Sequence, residues 1–132
     1  MEFNLKVGII GAREEKVTMD NVASKYGSGI VAVYSTPAMV GLMEGASLSS
    51  VAPLLPEGWS TVGMSVEIKH LAATPLGMTA RATAELITVE GRKLVFKVEA
   101  FDDKEKIGEG VHERYIIEMS KFMTRIAEKA KR

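Results

Sequence analysis

Cysteine is absent from the chain, and several kinds of chemistry are excluded with it. Without a thiol the chain has no disulfide, no cysteine nucleophile and no Cys-ligated zinc site. Any nucleophile must therefore be an oxygen or an imidazole nitrogen. The two histidines lie far apart in the sequence and show no H-E-x-x-H pattern, so we expect no metal site.

An excess of either charge is also missing. Seventeen Lys and Arg residues balance seventeen Asp and Glu residues, which gives a formal net charge of zero. No basic run longer than a pair occurs before the last residues, so the sequence does not predict binding to nucleic acid or to an anionic membrane. We expect a small, largely neutral partner instead.

Long uninterrupted apolar runs are lacking as well. Residues 26–43 carry no charge, but Gly, Ser, Thr and Pro interrupt them, unlike a membrane span of about 20 apolar residues. No charged segment followed by an apolar segment opens the chain, so we predict no signal peptide. The expectation is a soluble, cytoplasmic protein with one domain over residues 1–132.

Residues 36–51 carry the strongest helix signal in the sequence. Ser35 or Thr36 can cap the helix, Pro37 suits its first position, and Pro53 and Pro56 follow its end. On a helical wheel, one broad arc is apolar. It contains Met39, Val40, Met43, Leu48 and Val51.

Alternation of apolar and polar residues predicts the strands. The first ten residues, MEFNLKVGII, predict a strand that ends at Gly11 and the charged REEK. Four further strands should be joined by short turns, with a short amphipathic helix at 120–132. These strands contain residues 66–70, 80–86, 94–100 and 111–117. The order of elements predicts the α+β class, with an antiparallel sheet packed on one central helix.

Glu44 breaks the burial pattern of the helix, because it falls inside the apolar arc between Leu48 and Val51. An ionised carboxylate in a dry core is costly unless it is paired, so its position predicts a partner or a wet pocket. Two interpretations remain open. Glu44 is either a structural group at the rim of the helix, solvated or paired with an Arg or Lys, or a functional carboxylate.

The two histidines differ in their surroundings. His70 follows Val66 and Ile68 on the expected inward face of a strand, near the strand end. A lone histidine there is more often a hydrogen-bonded core residue than a catalyst, but at a strand end it can reach a cleft. His112 alternates with Val111 and Glu113, and a solvated position explains it adequately.

Thr36 stands at the start of the helix. Its hydroxyl has a structural explanation as a helix cap. The same position lies beside unpaired backbone donors and the positive end of the helix dipole, which can hold a carbonyl oxygen.

Three stretches of the sequence resemble a known family. They are STPAMVGLME, HLAATPLGM and TAELITVEGRKLVFKVEAFDDKEKIGEGVHER. In order and spacing they resemble the hotdog-fold acyl-CoA thioesterases related to fluoroacetyl-CoA thioesterase, over residues 33 to about 117. The resemblance implies a hotdog fold, in which an antiparallel sheet wraps around a central helix. It also implies a homodimer, or a dimer of dimers, with sites at the subunit interface.

The resemblance also assigns roles to residues. The family's catalytic Thr, Glu and His fall on Thr36, Glu44 and His70, the same positions that break the burial pattern. Gly63 matches a position whose backbone amide faces the thioester. The implied reaction is hydrolysis of a short or medium acyl-CoA to free acid and coenzyme A. Coenzyme A then enters as part of the substrate, and we expect no other cofactor.

Further substrate contacts are expected from Tyr34, the aromatic residue just before the helix, and from Arg114. Coenzyme A carries phosphates, for which basic side chains are candidates. These candidates are Arg81, Arg92, Lys93 and Arg114. The segment from Gly27 to Tyr34 does not align with the lid of the fluoroacetyl-specific enzyme, so fluoroacetyl specificity does not follow from the resemblance.

Helix geometry limits how these residues can act. If Thr36 and Glu44 both lie in one straight helix, about 12 Å of helix axis separates them. Either Thr36 then belongs to the preceding loop and turns back, or a second chain completes the site.

Two rival functions remain. An acyl-CoA hydratase or dehydratase is possible on this fold, although no Asp stands five positions before either histidine, as the D-x-x-x-x-H spacing of one such group requires. A non-catalytic acyl-CoA-binding dimer would make Glu44 and His70 structural residues. Release of free coenzyme A distinguishes thioester hydrolysis from both.

Overall fold

A computed structural model describes residues 3–132, so residues 1–2 of the first predicted strand lie outside the described residues. The elements follow one another in the order strand, short helix, long helix, four strands and terminal helix. They are β1 (Ile10–Lys16), α1 (Ala23–Tyr26), α2 (Thr36–Val51), β2 (Trp59–His70), β3 (Thr79–Glu90), β4 (Lys93–Phe101), β5 (Lys106–Glu118) and α3 (Met119–Ala130).

The long helix α2 has the bounds that the sequence predicts. Ser35 is its N-cap, and the Ser35 hydroxyl accepts a hydrogen bond from the Ala38 amide at 3.1 Å. Pro37 occupies the first turn, where its missing N–H leaves no helical bond unmade. A single turn of 3-10 helix at 52–54, which contains Pro53, ends the helical segment.

The five strands form one antiparallel sheet in the order β1-β3-β4-β5-β2. Helix α2 packs against β1, β2, β3 and β4, so the sheet surrounds it on several sides. The four strands predicted after the helix are confirmed, and Gly91 and Arg92 form the short turn between β3 and β4. The predicted α+β arrangement, an antiparallel sheet around a central helix, is confirmed.

Alternation along β3 and β4 builds the core. Their inward side chains have no exposed area; they are Ala80, Ala82, Ala84, Leu86, Leu94, Phe96, Val98 and Ala100. Burying a side chain the size of Leu or Phe stabilises the fold by about 1.5–3 kcal/mol. The alanines bring the backbone of α2 close to β3, and Gly108 of β5 leaves room for the Met39 thioether.

The buried face of α2 is wider than the predicted apolar arc. Met39, Met43 and Val51 are buried as expected. Residues beyond Met39, outside the predicted arc, are buried as well; they are Ala38, Leu42, Gly45 and Ala46. Val40, Glu44 and Leu48 are only partly buried. They follow one another at intervals of one helical turn, so Glu44 belongs to a row along the border of the buried face.

The first strand differs from its prediction. Residues 3–9 are not a strand, and β1 instead contains Gly11 and the REEK segment that was expected to end the strand. Strand β1 lies at one edge of the sheet, and an edge strand tolerates charged side chains that its own alternation does not reveal.

Strand β2 lies at the other edge and pairs only with β5 among the residues that the structure describes. Met64 and Val66 of this strand expose 57% and 36% of their surface. The C-terminal helix α3 packs beside β5 and buries none of its residues. Within residues 3–132, no helix has the length and apolar character needed to cross a membrane.

Candidate active site

Thr36 is the first residue of α2, and its hydroxyl is not the helix cap. Because Ser35 performs the capping, the Thr36 hydroxyl is available for another partner. That partner is the Nδ1 atom of His70, at 2.7 Å from the Thr36 Oγ1. The expectation that the Thr36 hydroxyl caps the helix is therefore wrong, and the sequence alternative of Ser35 as the cap is correct.

His70 is the last residue of β2, which agrees with its predicted position near a strand end. Its second ring nitrogen, Nε2, is buried and has no hydrogen-bond partner among the described residues. Burial lowers the pKa of His70, and a hydrogen bond with the backbone of Ala72 acts in the opposite direction. A neutral imidazole with one unoccupied nitrogen can accept or pass on a proton at neutral pH.

Thr36 and His70 open onto a cleft of about 410 Å³ between the start of α2 and the segment that follows β2. The ring of Tyr34 forms part of its wall and is buried, and the Tyr34 hydroxyl donates a hydrogen bond to Glu15 at 2.5 Å. Burial, together with that hydrogen bond, raises the pKa of Tyr34. Tyr34 therefore stays an uncharged wall residue.

Glu44 lies two helical turns further along α2, in a separate cluster. Its Oε1 atom is 3.8 Å from the Nη1 atom of Arg114, and 39% of its side chain remains exposed. The same carboxylate lies against Gly63 of β2, where an added Cβ would come within 2.7 Å of Oε1. Glu44 therefore has both a partner and access to solvent, which combines the two environments that the sequence predicted as alternatives.

Arg114 is buried on the inner face of β5, with 6% of its surface exposed. Its Nε atom donates to the Thr61 hydroxyl at 2.8 Å, and its Nη2 atom donates to the Thr61 carbonyl at 2.9 Å. Burial lowers the pKa of Arg114 and the nearby Glu44 raises it, but a guanidinium stays charged at neutral pH. Arg114 thus brings a fixed positive charge to Glu44.

This environment is not the one expected of a ligand for a coenzyme A phosphate. The Arg114 guanidinium is withdrawn from solvent and directed to neighbours within the same chain. Two other candidates also have partners: Arg92 stacks over the ring of Trp59 at 5.0 Å, and Lys93 pairs with Glu113 at 3.5 Å. Arg81 is exposed on β3.

His112 was expected to be solvated, and that expectation is wrong. Its exposed fraction is 1%, and it lies on the inner face of β5 with Arg114. Its Nδ1 atom is 2.8 Å from the Ser65 carbonyl, and its Nε2 atom is 3.2 Å from the Arg114 Nη1 atom. Burial is the main cause that lowers the pKa of His112, and the charge of Arg114 lowers it further.

The sequence contains a weak signal for this second cluster. His112, Arg114 and Ile116 have the same parity in β5, so they share one face. The opposite face, with Val111, Tyr115 and Ile117, is the more apolar one. Apolarity alone therefore predicts that the opposite face is buried and that His112 and Arg114 are solvated.

The three residues expected to be catalytic do not surround one point within a single chain. Thr36 and Glu44 both belong to α2, and eight residues separate them by about 12 Å along the axis. His70 contacts Thr36, while Glu44 contacts Arg114. The possibility that Thr36 lies in the preceding loop is thereby excluded, and completion of the site by a second chain is the alternative that remains.

The described residues offer no obvious place for a metal. Within residues 3–132, no three His, Asp or Glu side chains lie close enough together to hold a metal ion.

Comparison with known proteins identifies the family of the chain. The model of the fluoroacetyl-CoA-specific thioesterase family matches residues 17–120. The chain belongs to this family. It is therefore an acyl-CoA thioesterase, as the sequence predicted. The match includes Thr36, Glu44, Gly63, His70 and Arg114.

A curated member of the fluoroacetyl-CoA-specific thioesterase family, the fluoroacetyl-CoA thioesterase of Streptantibioticus cattleyicolor, is 44% identical over 97 residues. The match covers 74% of this chain and 70% of that protein. A solved structure of a fluoroacetyl-CoA thioesterase superposes with a TM-score of 0.89 at 36% identity, over 96% of this chain and 98% of that chain.

Solved structures of two other proteins also support the hotdog fold. A Thermus thermophilus protein described as a thioesterase superfamily member superposes with a TM-score of 0.86 at 30% identity, over 96% of each chain. A hot-dog-like protein from Thermanaerovibrio acidaminovorans superposes with a TM-score of 0.85 at 26% identity, over 93% of this chain and 91% of that chain. The predicted hotdog fold is confirmed.

Proposed function

We propose that this thioesterase hydrolyses a short or medium acyl-CoA at a site built from two copies of the chain. Thr36 and His70 of one copy face Glu44 and Gly63 of the other, and the thioester carbon lies between them. The observation that carries the proposal is the edge strand β2, which has Gly63 near its middle, His70 at its end and no partner strand on its outer side among residues 3–132.

Antiparallel pairing of two β2 edges brings the two clusters together. A twofold axis between Val66 and Glu67, midway from Gly63 to His70, sets each Gly63 opposite a His70 of the other copy. The Glu44 beside each Gly63 then lies near the other copy's Thr36 and His70. The exposed Met64 and Val66 favour such burial, because an uncovered strand edge with apolar side chains promotes pairing.

The residues have complementary roles in this proposal. Backbone N–H groups at the start of α2 and at Gly63 hold the thioester carbonyl oxygen and stabilise its developing negative charge. Glu44 activates the attacking water or attacks the carbonyl carbon itself. His70 moves protons, and Thr36 orients the His70 ring through their hydrogen bond at 2.7 Å.

Two routes are compatible with these roles. If Glu44 attacks, the coenzyme A thiolate leaves and a mixed anhydride forms between Glu44 and the acyl group, which water then hydrolyses. If water attacks directly, Glu44 is never acylated and solvent oxygen enters only the released acid. Rapid quenching of a single turnover in H2-18O, followed by mass spectrometry of the peptide that contains Glu44, separates the two: an acylated or 18O-labelled Glu44 reports the anhydride, and an unmodified, unlabelled Glu44 throughout the turnover reports direct attack.

The substrate is expected to be a neutral acyl chain of short or medium length, because Leu71, Ala72 and Ala73 join Tyr34 in lining the cleft beside His70. The fluoroacetyl-CoA thioesterase of Streptantibioticus cattleyicolor acts on fluoroacetyl-CoA, and fluoroacetyl specificity is not part of this proposal.

A thiol-release assay with a panel of acyl-CoAs tests the proposed function. Acetyl, butyryl, hexanoyl, dodecanoyl and fluoroacetyl thioesters should each be offered to the purified protein at equal concentration. We expect free coenzyme A from the short or medium substrates. Recovery of every thioester intact, or its hydration without thiol release, would contradict hydrolysis.

A further inference from the structure

His112 is the buried titratable group that the proposed reaction leaves unused. It lies on β5 between Ser65 of the edge strand and Arg114, and its ring tilts over Phe96 of β4 with centroids 6.4 Å apart. The carboxylate of Glu44, the Glu113 carboxylate and the Arg114 guanidinium are the charged groups that act on it. No catalytic step requires a second imidazole at this place.

The neighbours of His112 determine which tautomer it adopts. The Ser65 carbonyl can only accept a hydrogen bond, so the Nδ1 atom at 2.8 Å must carry a proton. A guanidinium can only donate, so the Nε2 atom at 3.2 Å from Arg114 must be unprotonated. His112 is therefore neutral, with the proton on Nδ1. Its burial agrees with this state, because burial disfavours the imidazolium.

The bond to Ser65 reaches a specific irregularity in the edge strand. The register between β2 and β5 shifts between Gly63 and Ser65, where β2 carries one extra residue, Met64. His112 thus holds Ser65, the residue that follows the bulge. The residue that precedes the bulge is Gly63, where an added Cβ would lie 2.7 Å from the Glu44 carboxylate, 3.4 Å from the His112 ring and 3.5 Å from Arg114.

The distance between Arg114 and Glu44 shows what these contacts accomplish. At 3.8 Å the two charges form an ion pair, but the distance is too long for a hydrogen bond. Three hydrogen bonds hold the guanidinium away from the carboxylate, two to Thr61 and one to His112. The His112 bond is the one made by Nη1, which is also the atom nearest Glu44.

We propose that His112 is a positioning residue, which anchors the Nη1 atom of Arg114 and so keeps the lone pairs of Glu44 free for the attacking group. Without the acceptor on His112, Nη1 closes on Glu44 and occupies the oxygen that activates water. His112 itself touches no substrate. The inference rests on the proposed catalytic role of Glu44.

Two amide variants separate the two hydrogen bonds of the ring. In His112→Asn the amide can replace Nδ1 as donor to Ser65, but it is too short to reach Arg114. In His112→Gln the side-chain oxygen can replace Nε2 as the acceptor for Arg114. We expect kcat to fall by about tenfold or more in the Asn variant, the effect of one hydrogen bond to a charged group, and by less than about threefold in the Gln variant. KM should change little in either.

A merely structural role predicts a different pattern. Both variants would then lose thermal stability while their kcat stayed equal to that of the wild type. Equal kcat in both variants, or a higher kcat in the Asn variant than in the Gln variant, overturns the inference. Thermal melting accompanies the kinetics and confirms that the compared variants are folded.

Nitrogen-15 NMR of the histidine rings tests the inference without any turnover. The wild-type protein at pH 7 should give a neutral His112 ring with the proton on Nδ1. A proton on Nε2, or an imidazolium, overturns the inference even if the enzyme is active. Conversely, if no acyl-CoA is hydrolysed, the proposed function fails, while the ring signals still decide whether His112 can accept from Arg114.

Discussion

The two polar clusters around α2 differ in charge, burial and origin. The Thr36–His70 pair is uncharged and opens to a cleft, and it joins the first residue of α2 to the last residue of β2. The Glu44–Arg114 cluster contains two full charges, and its arginine is buried, with only 6% of the residue accessible. The first cluster forms when the start of α2 lies beside the end of β2. The second cluster also requires the correct register of β2 against β5.

This difference explains what each cluster can contribute. A neutral pair beside an open cleft is suited to move protons, because neither partner must leave an ion pair to do so. A buried guanidinium needs a negative partner, since a buried charge without one is strongly destabilising. Arg114 has Glu44 as that partner, and the partial exposure of Glu44 leaves its carboxylate accessible to water.

The largest effect on turnover is expected from Glu44→Gln, which changes only the charged cluster. If Glu44 is the base or nucleophile, the variant should lose a hundredfold or more in kcat. It should also lose stability, by more than the roughly 1 kcal/mol of an exposed ion pair, because Arg114 would then be buried without this negative partner. Thiol release and urea unfolding measure the two effects. Glu57→Gln, on the exposed segment before β2, is the matched control. Near-normal turnover in Glu44→Gln would remove Glu44 from the mechanism.

The uncharged cluster is tested by Thr36→Val, which keeps the shape of the side chain and removes the hydroxyl bonded to His70. We expect kcat to fall about tenfold, because one positioning hydrogen bond is lost. Thr36→Ser keeps the hydroxyl and should recover most of the activity. Since Ser35 caps the helix, both variants should melt close to the wild type, and equal rates in the Val and Ser variants would contradict the role of the hydroxyl.

The charged cluster can be disturbed without removing a charge by Gly63→Ala. The added Cβ would come within 2.7 Å of the Glu44 carboxylate, so the carboxylate must move. We expect kcat to fall several-fold, up to about tenfold, with a smaller change in stability. Gly41→Ala is the control, because nothing lies within 4 Å of its added Cβ and alanine favours a helix. A fully active Gly63→Ala enzyme would show that the position of Glu44 is not critical.

The smallest expected effect is on the pH dependence of stability. The pKa of His70 is lowered from 6.5 in the folded state, so below about pH 6.5 the unfolded chain binds more protons than the folded one. His70 therefore contributes a loss of stability as the pH falls from 7.5 to 5.5. The urea midpoint of His70→Gln should fall less over this range than that of the wild type, and an equal fall would contradict the lowered pKa.

Much of the fold was predictable from local pattern. Capping residues and flanking prolines defined α2, and alternation defined β2 to β5, because those strands face a core on one side. The first strand was not predictable in this way. Residues 3–9 alternate without forming a strand, while β1 is an edge strand of largely exposed residues whose pairing with β3 decides its place.

The candidate site was predictable where a residue broke a pattern. Thr36, Glu44 and His70 each departed from the expected burial or position, and the structure gives each a polar partner. His112 and Arg114 were missed for a physical reason. Their partners Thr61 and Ser65 lie about fifty residues away in the chain, and only the register of β2 against β5 brings them together.

Subunit mixing tests the central claim, that each site combines Glu44 of one chain with Thr36 and His70 of another. The variants Glu44→Gln and His70→Asn, each expected to be inactive alone, are denatured together in equal amounts, refolded and assayed for thiol release. In a mixed dimer one site then has both residues intact, so random mixing should restore about a quarter of the wild-type activity. If the site lies within one chain, every site carries a defect, and the mixture would remain as inactive as its components.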